Sequence, residues 1–336
     1  MLDQESPLPL VGLTSTIPVE VLFAAGVTPV DLNNIFITSE TPEKLLKQAE
    51  HAGFAHNMCA WIKGIYSMVM NRGIRRVIAV TGGDCSNSIA LSELLRHRGV
   101  EMIPFAYPLD KDRSFLSRQV ESLRQIFSVT WPQIKSTKIR LDRIREKLRE
   151  LDRMTYEENV VKGFENHLFL VSSSDFNSDP DVFEADLDRF LIDARKRKPM
   201  REEIRLGYLG VPPVISKIYD SIEALGARVV FNEVQRQFSM PSLDPDLIDQ
   251  YLRYTYPYDI KGRIDDIKEA IEERNLHGLI HYTQTFCHRQ IYDIIFRETL
   301  ALPILTIEGD RPGNVDGRIA LRVETFIQML IDRRER

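Results

Sequence analysis

Short apolar runs alternate with segments of helical spacing in the first and last thirds of this sequence, and no other feature limits the fold as strongly. In the first third, the apolar runs span residues 8–13, 76–80 and 101–107. Pro18 opens one of the intervening helical segments and Gly26 ends it, as expected for proline in a first turn and glycine at a C-terminus. Strands that alternate with helices at this spacing predict a parallel, doubly wound sheet.

The last third returns to this alternation after a long charged segment. Its predicted strands span residues 204–209, 228–233, 276–282 and 302–308. Its predicted helices span residues 214–227, 287–300 and 317–333. Between the two thirds, residues 110–198 are rich in charge. They carry a one-sided stripe of Leu141, Ile144, Leu148 and Leu151, which predicts a helix with one buried face.

A chain of 336 residues is long enough for about two domains of ordinary size. The alternation places these domains at residues 1–109 and 200–336, with the helical segment at 110–199 between them. We therefore predict an α/β fold in which two Rossmann-like parallel-sheet domains are joined by a helical segment.

Composition and charge exclude several classes of protein. Lys and Arg number 44 against 49 Asp and Glu, so the chain lacks the excess of cations on which nucleic-acid binding depends. The first residues include Asp3 and Glu5 where a secretory signal would be basic, and no apolar stretch approaches the about 20 residues of a membrane helix. With only three cysteines, a disulfide framework is not expected. We predict a cytoplasmic protein that binds neither nucleic acid nor membrane.

All three cysteines lie where the predicted chain enters a helix. Cys59 begins a helical stretch, Cys85 follows a strand and a Gly-Gly-Asp turn, and Cys287 follows a strand and a polar loop. Ligands of open parallel sheets bind at such strand ends, and helix starts are expected to lower the pKa of a thiol. Since 26 and 202 residues separate the successive cysteines, a shared site has to form between the two domains.

Three thiols suit two kinds of metal site, and they can also be ordinary buried cysteines. They bind one zinc ion if a histidine such as His56, His281 or His288 completes the set. They equally suit three corners of a cubane iron-sulfur cluster, which leaves the fourth iron open to substrate. The residues alone leave these alternatives open.

Five short segments follow one another along the chain in a recognisable order. The first contains Pro-Val-Glu and Ala-Ala-Gly within residues 18–26, the second follows Cys59, and the third is Asp84-Cys85. The fourth contains Gly-Leu-Ile and Phe-Cys within residues 278–287, and the fifth spans residues 303–326 and includes Arg322. Together they resemble the 2-hydroxyacyl-CoA dehydratase and benzoyl-CoA reductase superfamily, over most of the chain. The resemblance implies that Cys59, Cys85 and Cys287 are the ligands of one [4Fe-4S] cluster between the domains. After Cys287 this chain continues His-Arg-Gln, where many acyl-CoA dehydratases have an acidic residue and proline, so we expect the substrate end to differ.

The resemblance also implies a reaction and partners. In this superfamily, an ATP-dependent activator iron-sulfur protein supplies a low-potential electron, which the dehydratase passes to a thioester to form a ketyl radical. The chain is then an oxygen-sensitive reductase or lyase for a small substrate, an acyl-CoA by resemblance, and forms a homodimer or a heterodimer with a related chain. The alternatives are a non-catalytic electron-transfer or assembly protein with the same cluster, and a zinc-stabilised α/β binding protein.

Three further polar residues are predicted as catalytic. Glu20 lies in an apolar helical segment, where an ionised carboxylate is costly unless paired, so it belongs either to the site or to the polar face of a helix. His281 and Gln284 precede Cys287 at a predicted strand end, where they could orient substrate, donate a proton or hydrogen-bond a cluster sulfur. No CoA-specific signature is visible, so coenzyme A rests on the resemblance alone.

Overall fold

The computed structural model describes residues 9–201 and 203–335, and two four-stranded parallel sheets form its framework. The first sheet contains β1 (Leu10–Leu13), β2 (Thr28–Asp31), β3 (Arg76–Gly82) and β4 (Glu101–Ala106). The second sheet contains β5 (Ile204–Gly210), β7 (Ala227–Asn232), β8 (Gly278–Thr283) and β9 (Ile304–Glu308). Two further short strands, β6 (Ile215–Ser216) and β10 (Gly313–Asn314), form a separate parallel pair. Leu8 of the first predicted strand lies outside the described residues, as do Asp3 and Glu5.

Both sheets have the same order of strands. The strand order is β2-β1-β3-β4 in the first sheet and β7-β5-β8-β9 in the second. In each sheet, the strand that comes first in the chain, β1 or β5, has one strand on one side and two on the other. The pairings are parallel, for example Gly12 beside Val77 and Leu209 beside His281. This is a doubly wound arrangement, and the predicted α/β fold with two Rossmann-like parallel sheets is confirmed.

Helices connect the strands of both sheets. Those of the first third are α1 (Val19–Ala24), α2 (Leu32–Ile37), α3 (Pro42–His51), α4 (Ala60–Arg72) and α5 (Asn87–His97). The middle segment contains α6 (Arg113–Ile126), α7 (Trp131–Tyr156), α8 (Gly163–Ser172) and α9 (Pro180–Ala194). The last third contains α10 (Ile218–Glu223), α11 (Glu233–Phe238), α12 (Leu247–Arg253), α13 (Ile260–Glu273), α14 (Tyr292–Thr299) and α15 (Gly317–Arg334). Over the described ranges, no helix is both long and apolar enough to cross a bilayer.

The charged middle segment packs against the first sheet through one apolar face. The predicted stripe of Leu141, Ile144, Leu148 and Leu151 lies on α7 and is fully buried, in one core with side chains of the first sheet and α1. Side chains from the stretch 234–258 also enter this core. The last third therefore contributes to both halves of the molecule, and the predicted domain boundaries stay predictions.

One helix is shorter than its sequence pattern predicts. The pattern predicted a helix over residues 214–227, but α10 begins only at Ile218. Residues 215–216 form β6 instead, because they pair with β10, and Lys217 has a left-handed backbone with φ of 61°. The prediction was wrong at this end because the pairing partner is about 100 residues away in the chain.

Candidate functional site

Residues at the carboxyl ends of strands from both sheets line one cavity, and all three cysteines are among them. This cavity has a volume of ≈ 140 Å³, and we call it the thiol cavity. The ends of β1, β2, β3, β5 and β8 contribute residues 14–15, 31, 84–85, 211–213 and 286–289. Ligands of open parallel sheets bind at this edge, where the order of the strands reverses. The fold therefore places a binding site where the cysteines lie.

Local structure puts each cysteine at the start of a helical segment. Cys59 is the N-cap of α4, Cys85 lies two residues before α5, and Cys287 precedes a 3₁₀ turn at His288–Ile291. Cys85 follows β3 and Cys287 follows β8, and these two strands hold the same place in their sheets. Each sheet thus supplies one thiol from an equivalent position, and the first domain adds Cys59.

Burial dominates the electrostatics of two of these thiols, Cys59 and Cys85. It raises the pKa of the Cys59 thiol to about 12, although the amides of Trp61 and Ile62 hydrogen-bond to the sulfur and lower it. Burial also raises the pKa of Cys85, against the effect of the amide of Asn87. The amides at these helix starts lower the pKa of the thiols, as expected, but the loss of water disfavours the thiolate more than the amides favour it, so the net pKa of both thiols is raised.

The thiol cavity suits a multi-atom group better than a single ion. Within the described part of the chain, no three His, Cys, Asp or Glu side chains converge closely enough to bind one metal ion. The volume of ≈ 140 Å³ is roughly ten times the about 10–15 Å³ that one water needs.

Two buried donors also favour an occupant rich in hydrogen-bond acceptors. Trp61 Nε1 and Arg289 Nε belong to residues of the cavity wall and have no acceptor among the residues described. A cubane cluster offers sulfide acceptors to such donors and binds each thiolate through a different iron. The residues present therefore fit a [4Fe-4S] cluster with three cysteine ligands.

None of the three predicted catalytic residues lines the thiol cavity. Glu20 on α1 is fully buried, and its carboxylate accepts hydrogen bonds from Arg145 at 2.7 Å and Tyr251 at 2.9 Å. His281 on β8 is also buried, with its Nδ1 2.9 Å from Oδ1 of Asp293. Both side chains are held in buried polar networks, and their catalytic roles stay predictions.

Gln284, the third predicted residue, connects two of the cysteine-bearing segments. Its Oε1 accepts a hydrogen bond of 2.8 Å from the amide of Ala60, the residue after Cys59. Its Nε2 is buried and has no acceptor in the described part of the chain. Gln284 therefore ties the loop of Cys287 to the helix of Cys59.

Sequence reasoning missed the charged residues that flank the cysteines. Arg289 lines the thiol cavity two residues after Cys287, and its Cζ lies 4.1 Å from the ring centre of Tyr256. Asp84 precedes Cys85 and accepts a 3.2 Å hydrogen bond from the hydroxyl of Tyr256. Burial raises the pKa of Asp84, and the charge of Arg289 opposes that change. In the sequence, Asp84 stands out only as part of the Asp84-Cys85 pattern and Arg289 only within the His-Arg-Gln that follows Cys287, and neither was given a role.

A second, larger cavity adjoins the thiol cavity. It has a volume of ≈ 600 Å³, and we call it the outer cavity. Ile37, His167 and Pro213 line both cavities. Phe164, His167 and Tyr219 form a run of aromatic rings along the outer wall, with Phe164 stacked on His167 at 5.9 Å between ring centres. Burial lowers the pKa of His167 to about 4, so its imidazole is neutral at neutral pH.

The fold and the site together define a class of protein, an α/β protein in which two parallel sheets meet at a thiol-lined cavity. Within that class, the chain belongs to the family described as 2-hydroxyglutaryl-CoA dehydratase, D-component, which matches residues 14–330. No match was found among curated proteins. The matched range contains all three cysteines and both cavities, and the resemblance seen in the sequence is confirmed. The chain is therefore of the dehydratase-component type.

Proposed function

We propose that this chain is the iron-sulfur subunit of a 2-hydroxyacyl-CoA dehydratase-type enzyme, with one [4Fe-4S] cluster held by Cys59, Cys85 and Cys287. The observation that carries the proposal is that thiols from two domains line one cavity at the carboxyl ends of two parallel sheets. A subunit of this type pairs with itself or with a related chain. It receives its electrons from an ATP-dependent activator iron-sulfur protein.

When bound, the cluster supplies single low-potential electrons to the substrate. The contribution of the chain begins with the cysteines, whose thiols must lose their protons to bind iron. Because burial raises the pKa of Cys59 to about 12 in the metal-free cavity, loading releases protons and is favoured by higher pH. Trp61 Nε1 and Arg289 Nε are the buried donors available to the bound group.

The outer cavity fits the carrier part of an acyl-CoA substrate. Its volume of ≈ 600 Å³ lies within the about 300–1,000 Å³ of small-molecule sites. Lys44 and Lys217 line it and can pair with phosphate groups, and the rings of Phe164 and Tyr219 offer an apolar surface to a planar base. The acyl end then extends past His167 into the thiol cavity, where exclusion of water protects radical chemistry.

Gln284 has a positioning role in this proposal, because it fixes the start of the helix that follows Cys59. Glu20 and His281 act on the site only through the elements that carry them, and substitution of each residue tests this assignment.

Anaerobic purification and reconstitution with iron and sulfide test the proposal. We expect a brown protein with about four iron and four sulfide per chain, and near-complete loss of both in Cys59→Ser, Cys85→Ser and Cys287→Ser. Ser86→Ala is the matched control, because Ser86 is exposed beside Cys85 and makes no side-chain cap. A colourless protein without iron, or with about one zinc per chain, overturns the proposal.

A second measurement separates an enzyme from an electron carrier with the same cluster. An acyl-CoA that enters the thiol cavity changes the EPR spectrum of the reduced cluster, because the fourth iron lies open to it. An iron-loaded protein whose spectrum no acyl-CoA alters favours the electron-transfer alternative.

A further inference from the structure

Arg289 is a buried cation at the wall of the thiol cavity. Its side chain is 7% exposed, and Nη2 donates hydrogen bonds to the carbonyl oxygens of Gly83 at 3.2 Å and Tyr256 at 3.1 Å. The guanidinium stacks on the ring of Tyr256, 4.1 Å from its centre. These contacts fix the position of the charge but supply no counter-charge.

Three other buried arginines of this chain each contact a carboxylate. Both members of each pair are largely buried, and the pairs are Arg145 with Glu20 at 2.7 Å, Arg263 with Glu233 at 2.5 Å, and Arg274 with Asp152 at 2.7 Å. For Arg289, by contrast, no carboxylate of the described residues lies within ion-pair distance, and Nε has no acceptor among them.

A buried charge without a partner is costly, and proteins bury Arg almost only when it is paired. Two carboxylates belong to the same cavity wall, but both have other partners. Asp84 accepts a hydrogen bond from Tyr256, and Asp31 caps α2 through the amides of Asn33 and Asn34. The charges of Asp84 and Arg289 attract each other, but the two groups are not within ion-pair distance, so the guanidinium can still contact an anion that enters the cavity.

We propose that Arg289 makes the thiol cavity a selective site for an anionic group. Two sources have this chemistry. One is a cluster bound by three thiolates, which carries net negative charge, and the other is a carboxylate on the acyl part of the substrate. The first source rests on the proposed function, whereas the selectivity for anions is a property of the metal-free cavity and does not.

Competing alkylation of the reduced, metal-free protein tests the selectivity directly. Iodoacetate and iodoacetamide attack the same thiolate, but only iodoacetate carries a negative charge. Because the fraction of thiolate affects both rates equally, the ratio of the two rates reports the local potential alone. Mass spectrometry resolves this ratio separately at Cys59, Cys85 and Cys287.

We expect Arg289→Gln to lower the ratio of iodoacetate to iodoacetamide rates at Cys287 and Cys85 on the order of tenfold, and Arg289→Lys to preserve most of it. Asp84→Asn is expected to raise the ratio, since it removes a negative charge from the same wall. Arg318→Gln, which removes an exposed charge on α15, is the control and leaves the ratio unchanged. An unchanged ratio in Arg289→Gln, with the thermal unfolding midpoint retained, overturns the proposal. So does a ratio that Asp84→Asn does not raise.

The reconstituted protein separates the two sources of the anion. If the cluster is the partner, Arg289→Gln shifts its midpoint potential to more negative values, because a nearby cation stabilises the more negative reduced state. If a substrate carboxylate is the partner, Arg289→Gln leaves the midpoint potential unchanged. Succinate, used as the probe, then protects the thiols of the wild type against iodoacetamide but does not protect those of Arg289→Gln. Failure of the wild-type protein to assemble a cluster overturns the proposed function, while the alkylation ratios still decide the anion selectivity.

Discussion

The side-chain oxygen of Gln284 accepts a hydrogen bond of 2.8 Å from the backbone amide of Ala60, although 224 residues separate them in the chain. Ala60 is the first residue of α4, and an amide in a first helical turn has no partner within its own helix. Gln284 follows β8 and precedes Cys287 by three residues. The bond therefore links the segments that carry two of the three thiols, across the two sheets.

Loss of this bond is expected to destabilise both the fold and the metal site. Gln284→Met keeps the size of the side chain but leaves the buried amide of Ala60 without an acceptor, which costs about 1–3 kcal/mol of unfolding free energy. Urea denaturation of the metal-free protein measures this cost, and the rate of iron release to a chelator measures the second effect.

Two variants control for the position and the chemistry of Gln284. Gln284→Glu retains an acceptor at a helix N-terminus and is expected to recover most of the stability. Gln290→Met changes a more exposed glutamine in the following turn and is expected to cost at most about 0.5 kcal/mol. If Gln284→Met is as stable as the wild type and retains its iron, Gln284 does not position the helix of Cys59.

Glu20 provides a test between a structural and a catalytic role. Its buried ion pair with Arg145 predicts that Glu20→Gln loses up to about 3–5 kcal/mol of unfolding free energy, because the buried guanidinium then keeps only the less buried Asp142 as a charged partner. Glu184→Gln breaks the more exposed pair with Lys147 and is expected to cost about 0–1 kcal/mol. Replacing both buried partners, with Glu20→Leu and Arg145→Met, is expected to restore much of the loss. Full stability of Glu20→Gln combined with loss of turnover would assign Glu20 to catalysis instead.

Gly83 is predicted to be essential for the turn before Cys85. Its φ is +87°, and a Cβ at this position would lie 2.6 Å from the carbonyl oxygen of Pro257. Gly53 has a φ of +108° but open space around it, so Gly53→Ala measures the backbone strain alone, about 1–2 kcal/mol. Gly83→Ala is expected to cost about 1–3 kcal/mol more because of the overlap. Equal urea midpoints for the two variants would contradict this close contact.

Local features of the sequence were sufficient to predict seven of the eight strands of the two large sheets, many of the helices and the helix-start positions of the three cysteines. The strand β2 was not predicted. Cys59, for example, directly precedes α4, as its sequence context predicts. The failures depend on contacts between distant residues. Residues 215–216 form a strand only because β10 lies beside them, and the pKa of Cys59 rises only because the folded domains exclude water from it.

The candidate site was predictable only in part for the same reason. The cysteines carry a recognisable pattern, whereas the lack of a carboxylate partner for Arg289 among the described residues is a property of the whole fold. No stretch of sequence reveals that a guanidinium is buried or that the carboxylates near it have other partners. Conversely, Glu20 has the sequence context of a site residue, but tertiary structure gives it Arg145 as a partner.

His167, at the junction of the two cavities, is expected to make stability depend on pH. Burial lowers its pKa to about 4 in the folded state, from an ordinary value of about 6.5. Between these values the unfolded chain binds a proton that the folded chain does not, so the contribution of His167 to unfolding free energy falls as the pH falls. The loss is at most about 3 kcal/mol, because lowering a pKa by one corresponds to about 1.36 kcal/mol and His167 is only partly buried.

Asp175 acts in the opposite direction, because burial raises its pKa to about 7 and protonation then favours the folded state. Both the wild type and His167→Gln contain Asp175, so its contribution cancels when the unfolding free energies of the two proteins are subtracted. Urea denaturation from pH 7.5 to pH 4 is expected to show the variant gaining stability relative to wild type as the pH falls, with most of the change below pH 6.5. His51→Gln, at an exposed position on α3, is expected to run parallel to wild type. Parallel curves for His167→Gln as well would mean that the imidazole is not buried in its neutral form.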